Sequence, residues 1–283
     1  MSSDAPVWLI TGCSSGLGRA LAVAVLRRGQ RCAVTARDPA ALASLGDAHP
    51  DTCLPLALDV CDDRSVVAAV AAVERRFGRI DVLVNNAGYG YFAAVEEGDD
   101  DEVRAMFETN FFGVVRLTRR VLPGMRQRGS GHVVNISSIA GLLANPGGGY
   151  YAASKHAIEG LSEALAKEVR EHGVRVTLIE PGSFRTDFHG RSVRFARQPL
   201  SAYAGTAAAR RAQLKAVLGR QPGDPERAAQ AIIRLVESDA PPLRVVFGKA
   251  AHGLARDKAE ASLAALERWR DVAEGVDFPA AAS

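Results

Sequence analysis

The chain predicts an α/β fold, a doubly wound parallel sheet of about seven strands with helices on both faces. Three observations predict it. Short apolar, β-branched runs alternate with helical patterns over most of the length, which is how a parallel sheet covered on both sides reads. The first run leads directly into a glycine-rich turn and then an alanine- and leucine-rich stretch. No Pro/Ser-rich linker and no repeat interrupts the 283 residues, so one domain over 1–283 is expected.

Taken in order, residues 7–11 (Val-Trp-Leu-Ile-Thr) are short and apolar enough for a buried strand. The helix after the glycines ends at Gly29, a residue suited to a helix stop. Further strands fall at 31–36, 53–59, 81–84, 132–137, 174–180 and 243–247. Helical patterns fall at 39–45, 64–77, 101–110, 114–128, 151–172 and 225–237. Asp38 before Pro39 reads as an N-cap followed by the first helical residue. A ligand is expected beyond the carboxyl ends of the strands, at the switch point. Residues 183–223 form an insertion with a helix near 205–218. A further helix over 250–274 begins the C-terminal extension, 250–283, with Leu254, Leu263, Leu266 and Trp269 on an apolar stripe. That helix either caps the subunit or builds an interface.

Composition narrows the function classes. Charged residues at 24% and hydrophobic ones at 47% are ordinary for a soluble globular enzyme. A net charge of +3 is too small to imply nucleic acid. Cys13, Cys32, Cys53 and Cys61 form no C-x-x-C pair; no metal site is expected, and the thiols read as small buried hydrophobes in a reducing interior. Cys13 reads as filler, with exposure in the loop as the alternative. Nothing resembles a secretory leader or an eighteen-residue apolar span, so a cytoplasmic protein without a membrane span is expected.

Two constellations carry chemistry. In Gly12-Cys13-Ser14-Ser15-Gly16-Leu17-Gly18 the glycines let backbone N–H groups approach a phosphate at a helix N-terminus. The spacing differs from the commoner Gly-x-Gly-x-x-Gly, and a plain tight turn is the competing explanation. Further on, Tyr151 and Lys155 lie four apart on a helix, with Ser138 thirteen residues upstream. Residues so spaced share a face, and an ammonium beside a phenol favours phenolate, lowering the tyrosine pKa. Tyr150 finds only Ser154 one turn on. The pair alone also reads as ordinary helix surface.

The ordered set of motifs resembles the short-chain dehydrogenase/reductase family over roughly residues 7–250. It comprises the glycine loop from Thr11, Asp59-Val60, Asn85-Asn86-Ala87-Gly88, Asn110, Asn135-Ile136-Ser137-Ser138, Tyr151 to Lys155, and Pro181-Gly182. The resemblance implies a Rossmann-type oxidoreductase that moves a hydride between a nicotinamide and a carbonyl or carbinol carbon. It makes Tyr151 the general acid/base, Lys155 the holder of the nicotinamide ribose, Ser138 the positioner of the substrate oxygen and Asn110 the support of a water relay to Lys155. Asp59 and Val60 would flank adenine, Asn86, Ala87 and Gly88 would line the groove, and Thr186 would reach the carboxamide after Pro181-Gly182. Asp59 also reads as a strand-ending turn residue, and Asn110 as a polar helix interrupter bonded to backbone. Ser138 is preferred to Ser137 because neighbours at a strand end face opposite ways.

The second strand ends Ala36-Arg37. A carboxylate at this place would repel a 2′-phosphate, whereas an arginine pairs with it; NADP(H) is expected over NAD(H), with a surface arginine as the competing reading. His156 reads as structural. Tyr89, Tyr91, Phe92, residues 140–143, Phe184, Phe188, Phe195 and Tyr203 are candidates for an apolar pocket, leaning toward hydroxysteroid/retinol dehydrogenase-like or carbonyl reductase-like substrates. Arg185, Arg191, Arg194 and Arg197 of the insertion read as a solvated lid face, an anion attractor or a 2′-phosphate aid. A catalytically silent NADP(H) sensor is the alternative function, and a homodimer or homotetramer is the expected assembly.

Overall fold

The computed structural model describes residues 5–278, with the side chains of His189 and Arg191 apart; the expectation for Arg191 therefore lies outside the described residues. Period-2 alternation of strand β1 (Val7–Ile10) builds the two halves of the core. Trp8 and Ile10 pack with Leu21, Val25, Ile232 and Ile233 on one side of the sheet. Val7 and Leu9 pack with Val66, Val70, Leu117 and Met125 on the other. With both faces covered, all four strand residues are buried, which explains the unbroken apolar run.

The remaining strands are β2 (Arg31–Ala36), β3 (Cys53–Ala57), β4 (Val82–Asn85), β5 (Gly90–Phe92), β6 (Gly131–Ile136), β7 (Val174–Pro181), β8 (Val193–Phe195) and β9 (Arg244–Phe247). Seven of the nine form one sheet in the order β3-β2-β1-β4-β6-β7-β9, parallel throughout. The chain leaves β3 at one edge and re-enters at β4 beside β1, so the crevice where ligands bind in such sheets opens between β1 and β4. The third strand stops at Ala57, two residues short of the expected end. There Asp59 turns its Oδ1 back to accept from the Cys61 N–H at 2.9 Å.

Helices α1 (Gly16–Arg27), α2 (Ala43–Ala48), α3 (Asp63–Phe77), α4 (Asp100–Phe107), α5 (Gly113–Arg128), α6 (Gly149–Glu168), α7 (Phe188–Arg191), α8 (Ala209–Ala216), α9 (Pro225–Glu237), α10 (Lys249–Arg268) and α11 (Arg270–Glu274) complete the fold. Asp38 caps as expected, accepting from Ala40 N–H at 3.0 Å with Pro39 following. It opens a 3-10 turn that continues into α2, so the single helix expected at 39–45 is two short pieces. Asp62, Asp99 and Asp224 cap α3, α4 and α9 in the same way, each a contribution of about 1 kcal/mol.

Two features depart from the sequence expectations, and a third bears on a choice that the sequence left open. The helices expected at 101–110 and 114–128 are one rod, α4 and α5 joined through a π-helical turn, Glu108–Phe112. Strands β5 and β8 pair in parallel as a separate two-stranded sheet that ties the insertion down; three-residue strands, one starting with glycine, leave no period to read. The C-terminal helices do not cap the subunit. Ala251 of α10 is buried against Gly182, but Leu254, Leu263, Leu266 and Trp269 are exposed. No helix among the described residues is long and apolar enough to cross a membrane.

Candidate active site

A cavity of about 490 Å³ opens at the carboxyl ends of the central strands. Of the residues expected to form the site, all but Gly18 and Asn110 line it. Gly16 has a φ of +62°, a backbone conformation that side chains other than glycine rarely adopt. Gly18 lies under the loop, where a Cβ would meet Asn86 and stand 2.6 Å from the Gly12 carbonyl oxygen. That Asn86 amide donates to the Thr11 carbonyl at 2.8 Å and to the Gly12 carbonyl at 3.2 Å. Thr11 Oγ1 accepts from the Asn86 and Ala87 N–H groups at 2.9 Å each. Thr11 therefore stitches the glycine loop to the turn after β4.

The loop fits the phosphates of a dinucleotide. No side chain caps the N-terminus of α1 and no acidic residue lies in its first turn, so backbone donors and the helix dipole face the cavity without competition. Arg37, exposed at the cavity rim after β2, is beside the loop while Asp38 is turned away into its cap. Cys13 is buried, not exposed; its Sγ contacts the Ile10 carbonyl at 3.2 Å, and burial pushes the thiol up to about 12.

The other end of the cavity holds the polar triad. Strand β6 ends at Ile136, and the next two residues both line the cavity but diverge: the Ser137 hydroxyl is buried against the Gly141 turn, while the Ser138 hydroxyl, which accepts from Ala140 N–H at 3.1 Å, acts on the Tyr151 phenol. Lys155 Nζ stands 5.8 Å from the centre of the Tyr151 ring. It donates to the Ile136 carbonyl at 2.9 Å. The expected drop in the phenol pKa is not present. Burial pushes Tyr151 up to about 12, opposed by the Ser138 hydroxyl, and burial pulls Lys155 down to about 8, opposed by Glu159. The physical reason is that desolvation penalises phenolate and ammonium alike. Tyr150 points away, donating to the Val95 carbonyl at 2.7 Å, and His156 Nδ1 bonds the Ala152 carbonyl within its own helix at 2.9 Å.

Asn110 sits in the π turn, buried, and grips the strand-end backbone in both directions. Its Nδ2 donates to the Tyr89 carbonyl at 2.8 Å and to Ser154 Oγ at 3.2 Å, and its Oδ1 accepts from Tyr89 N–H at 3.0 Å. A Cβ on Gly88 would stand 3.0 Å from Asn110 Oδ1 and 3.8 Å from Lys155 Nζ, so the amide and ammonium flank the same glycine.

Beyond the triad, Tyr89, Phe92, Ala140, Phe184 and Phe188 line the cavity as expected, and Arg210 and Leu214 of the insertion join them unforeseen. Tyr91 does not; successive strand residues face opposite ways, and its side chain is buried, the hydroxyl accepting from Asp99 N–H at 3.1 Å. Gly141, Leu142 and Leu143 also lie outside the lining. Phe195 lies under Arg211 and Lys215 instead, and Tyr203 donates to Glu96 at 2.5 Å. The described insertion arginines are engaged in contacts of their own. Arg194 and Arg197 both reach Glu102, at 2.7 and 2.9 Å, and Arg185 donates to the Gln221 carbonyl at 3.2 Å.

The family model for short chain dehydrogenase matches residues 6–196. An oxidoreductase of Botryotinia fuckeliana, BOA17, is 39% identical over 269 residues, covering 94% of this chain and 97% of its own length. Human retinol dehydrogenase 8 is 37% identical over 256 residues, covering 83% of this chain and 79% of its own. The crystal structure of a short-chain dehydrogenase from Streptomyces avermitilis superposes with a TM-score of 0.91 at 43% identity, over 97% of this chain and 100% of that one. More distant structures of the same kind were solved with NADP (a metagenomic enzyme, TM-score 0.68, 29% identity, 87% of this chain and 98% of that one) and with NAD (Burkholderia phymatum, TM-score 0.77, 26% identity, 100% and 99%). With its parallel sheet, its uncapped glycine loop and these relatives, the chain belongs to the short-chain dehydrogenase/reductase family of oxidoreductases.

Proposed function

We propose that the protein is an NADP(H)-dependent oxidoreductase acting on a carbonyl or secondary alcohol of a hydrophobic small molecule. One observation carries this reading: the Ser138 hydroxyl, the Tyr151 phenol and the Lys155 ammonium meet in the cavity that the glycine loop opens. Gly12, Ser14, Ser15, Gly16, Leu17 and Gly18 would hold the pyrophosphate, Arg37 the 2′-phosphate, Asp59 and Val60 the adenine, and Asn86, Ala87 and Gly88 the groove between. Pro181, Gly182 and Thr186 would flank the nicotinamide, which when bound supplies or accepts the hydride.

In the reductive direction Tyr151, neutral across physiological pH in its buried setting, donates its proton to the developing alkoxide. Ser138 hydrogen-bonds the same oxygen. Lys155, protonated at neutral pH, favours the phenolate left behind and holds ribose hydroxyls, and Asn110 fixes the Tyr89 backbone and Ser154 around it. Oxidation uses the same residues in reverse. The aromatic wall of Phe92, Phe184 and Phe188 favours an apolar substrate, as does likeness to a relative named for retinol. A panel of ketones, aldehydes and secondary alcohols, run with each nicotinamide at equal concentration, tests the reading. Faster turnover with NADP(H) on apolar members is expected. Tight cofactor binding with no turnover on any member would instead favour a silent sensor. A cytoplasmic homodimer or homotetramer is the accompanying proposal, checked by light scattering and fractionation.

A further inference from the structure

Behind the triad lies a second set of ionisable groups that the proton transfer itself does not use. Glu159 follows Lys155 by one turn of α6, and both side chains are buried. Glu180, near the end of β7, is also buried, and its carboxylate shares the Arg244 guanidinium with that of Glu159. Arg244 of β9 approaches from the rim, 3.0 Å from Glu159 Oε2, 2.8 Å from Glu163 Oε2 and 3.9 Å from Glu180 Oε1. Among the described residues no donor reaches Glu159 Oε1, Glu180 Oε1 or Ser137 Oγ. A Cβ on Gly141 would meet Ser137 Oγ at 2.7 Å and Glu159 Oε1 at 3.0 Å, so both atoms press against the turn that carries Ser138.

Two carboxylates can only accept hydrogen bonds. Packed together out of water they are joined when one of them keeps its proton. Burial, and next the Glu159 charge, raise the affinity of Glu180 for that proton. The pair then carries one negative charge, anchored by Arg244 on one side and set one helical turn from Lys155 on the other.

We propose that the Glu159–Glu180 pair is the buried counter-anion of Lys155, a positioning element that keeps this side chain in its ammonium form. The groups facing the pair are Lys155 and Glu163 from α6, Ser137 from the turn after β6 and Arg244 from β9; those facing Lys155 are Tyr151 and Glu159 from its own helix, with the neutral Asn110 across Gly88. Without the anion, burial alone governs the ammonium, which then releases its proton at lower pH. The role of Lys155 itself rests on the function proposed above; its protonation state does not.

Competitive acetylation tests this directly. The folded protein is treated with trace acetic anhydride across pH, and modification of Lys155 is quantified by peptide mass spectrometry. In Glu159→Gln the midpoint of Lys155 labelling is expected to fall by about one pH unit, the lower end of what an opposite charge at this range produces. Glu180→Gln keeps a donor to Glu159 but removes the second charge that the pair gains in alkali, so it shifts the midpoint the same way by less. Glu159→Asp, which keeps the charge, restores the wild-type midpoint. A midpoint unchanged in Glu159→Gln overturns the proposal, and if that variant does not fold, an unchanged midpoint in Glu180→Gln overturns it. Labelling needs no turnover, so its failure is separable from failure of the oxidoreductase reading.

Discussion

Arg194 Nη1 lies 2.7 Å from Glu102 Oε2, joining β8 to the first turn of α4. The guanidinium also covers the Tyr89 ring, 4.7 Å from its centre, and Arg197 takes the other oxygen of the same carboxylate. The two arginines, read from the sequence as a solvated face, an anion attractor or a 2′-phosphate aid, latch the insertion to α4. Both are largely exposed, so the pairing is worth no more than about 1 kcal/mol.

That small latch predicts a measurable loosening. Glu102→Gln leaves both arginines unpaired, and trypsin cleavage after Arg194 or Arg197 in the native protein is expected to accelerate about threefold, matching an ion pair of a few tenths to one kcal/mol. Raising the salt concentration has the same effect on the wild type and none on the variant. Equal cleavage rates in the two proteins at low salt would show that the latch bears nothing.

Tyr151→Phe removes the hydroxyl and keeps the ring that packs 5.7 Å from Phe92 and 5.9 Å from Phe188. Turnover in the proposed reaction should drop by about a hundredfold or more, the usual worth of a positioned proton donor. Cofactor affinity, read by nicotinamide fluorescence, should hold. Near-normal turnover would remove Tyr151 from the mechanism.

Arg37→Gln withdraws the charge proposed for the 2′-phosphate. A charge-assisted hydrogen bond contributes roughly 1.5–3 kcal/mol, so NADPH should bind about ten- to a hundredfold more weakly. NADH binding should barely change. Titration calorimetry with both cofactors checks the asymmetry; equal weakening of both would mean that Arg37 acts on something other than the phosphate.

His132 predicts acid sensitivity. Buried in β6, it bonds Thr177 through Nε2 at 2.9 Å, and burial pulls its pKa down to about 3. Because the folded value lies below the unfolded one, the unfolded chain binds the extra proton. Stability is therefore complete above about pH 6.5 and declines as pH falls toward 3. At pH 5 the loss from this residue is about 2 kcal/mol at most. In His132→Leu the fall in Tm between pH 7 and 5 should shrink; an equal fall in both proteins would place the acid sensitivity elsewhere.

Much of the fold was legible because its signals are local. The burial period of β1, the Asp38-Pro39 cap and the glycines of the first turn each act within a few residues. Ser138 could be preferred to Ser137 for the same reason, since neighbours on extended backbone point apart. Thr11, Arg210 and the β5–β8 pairing were not legible, because their roles depend on segments far away in sequence. The joining of two expected helices by a π turn was hidden too, as a one-residue change in winding leaves no mark on composition.

By itself the sequence determined the sheet order's class, the place of the glycine loop and the identity of the residues that meet at the cavity, since backbone conformation and side-chain chemistry travel with the residue. Only the tertiary structure decided their charge. Whether Tyr151 holds its proton, Lys155 its own and Glu180 an unexpected one depends on how much water each has lost and which partner stands opposite. Those are properties of packing between distant segments, and desolvation has no counterpart in a string of residues.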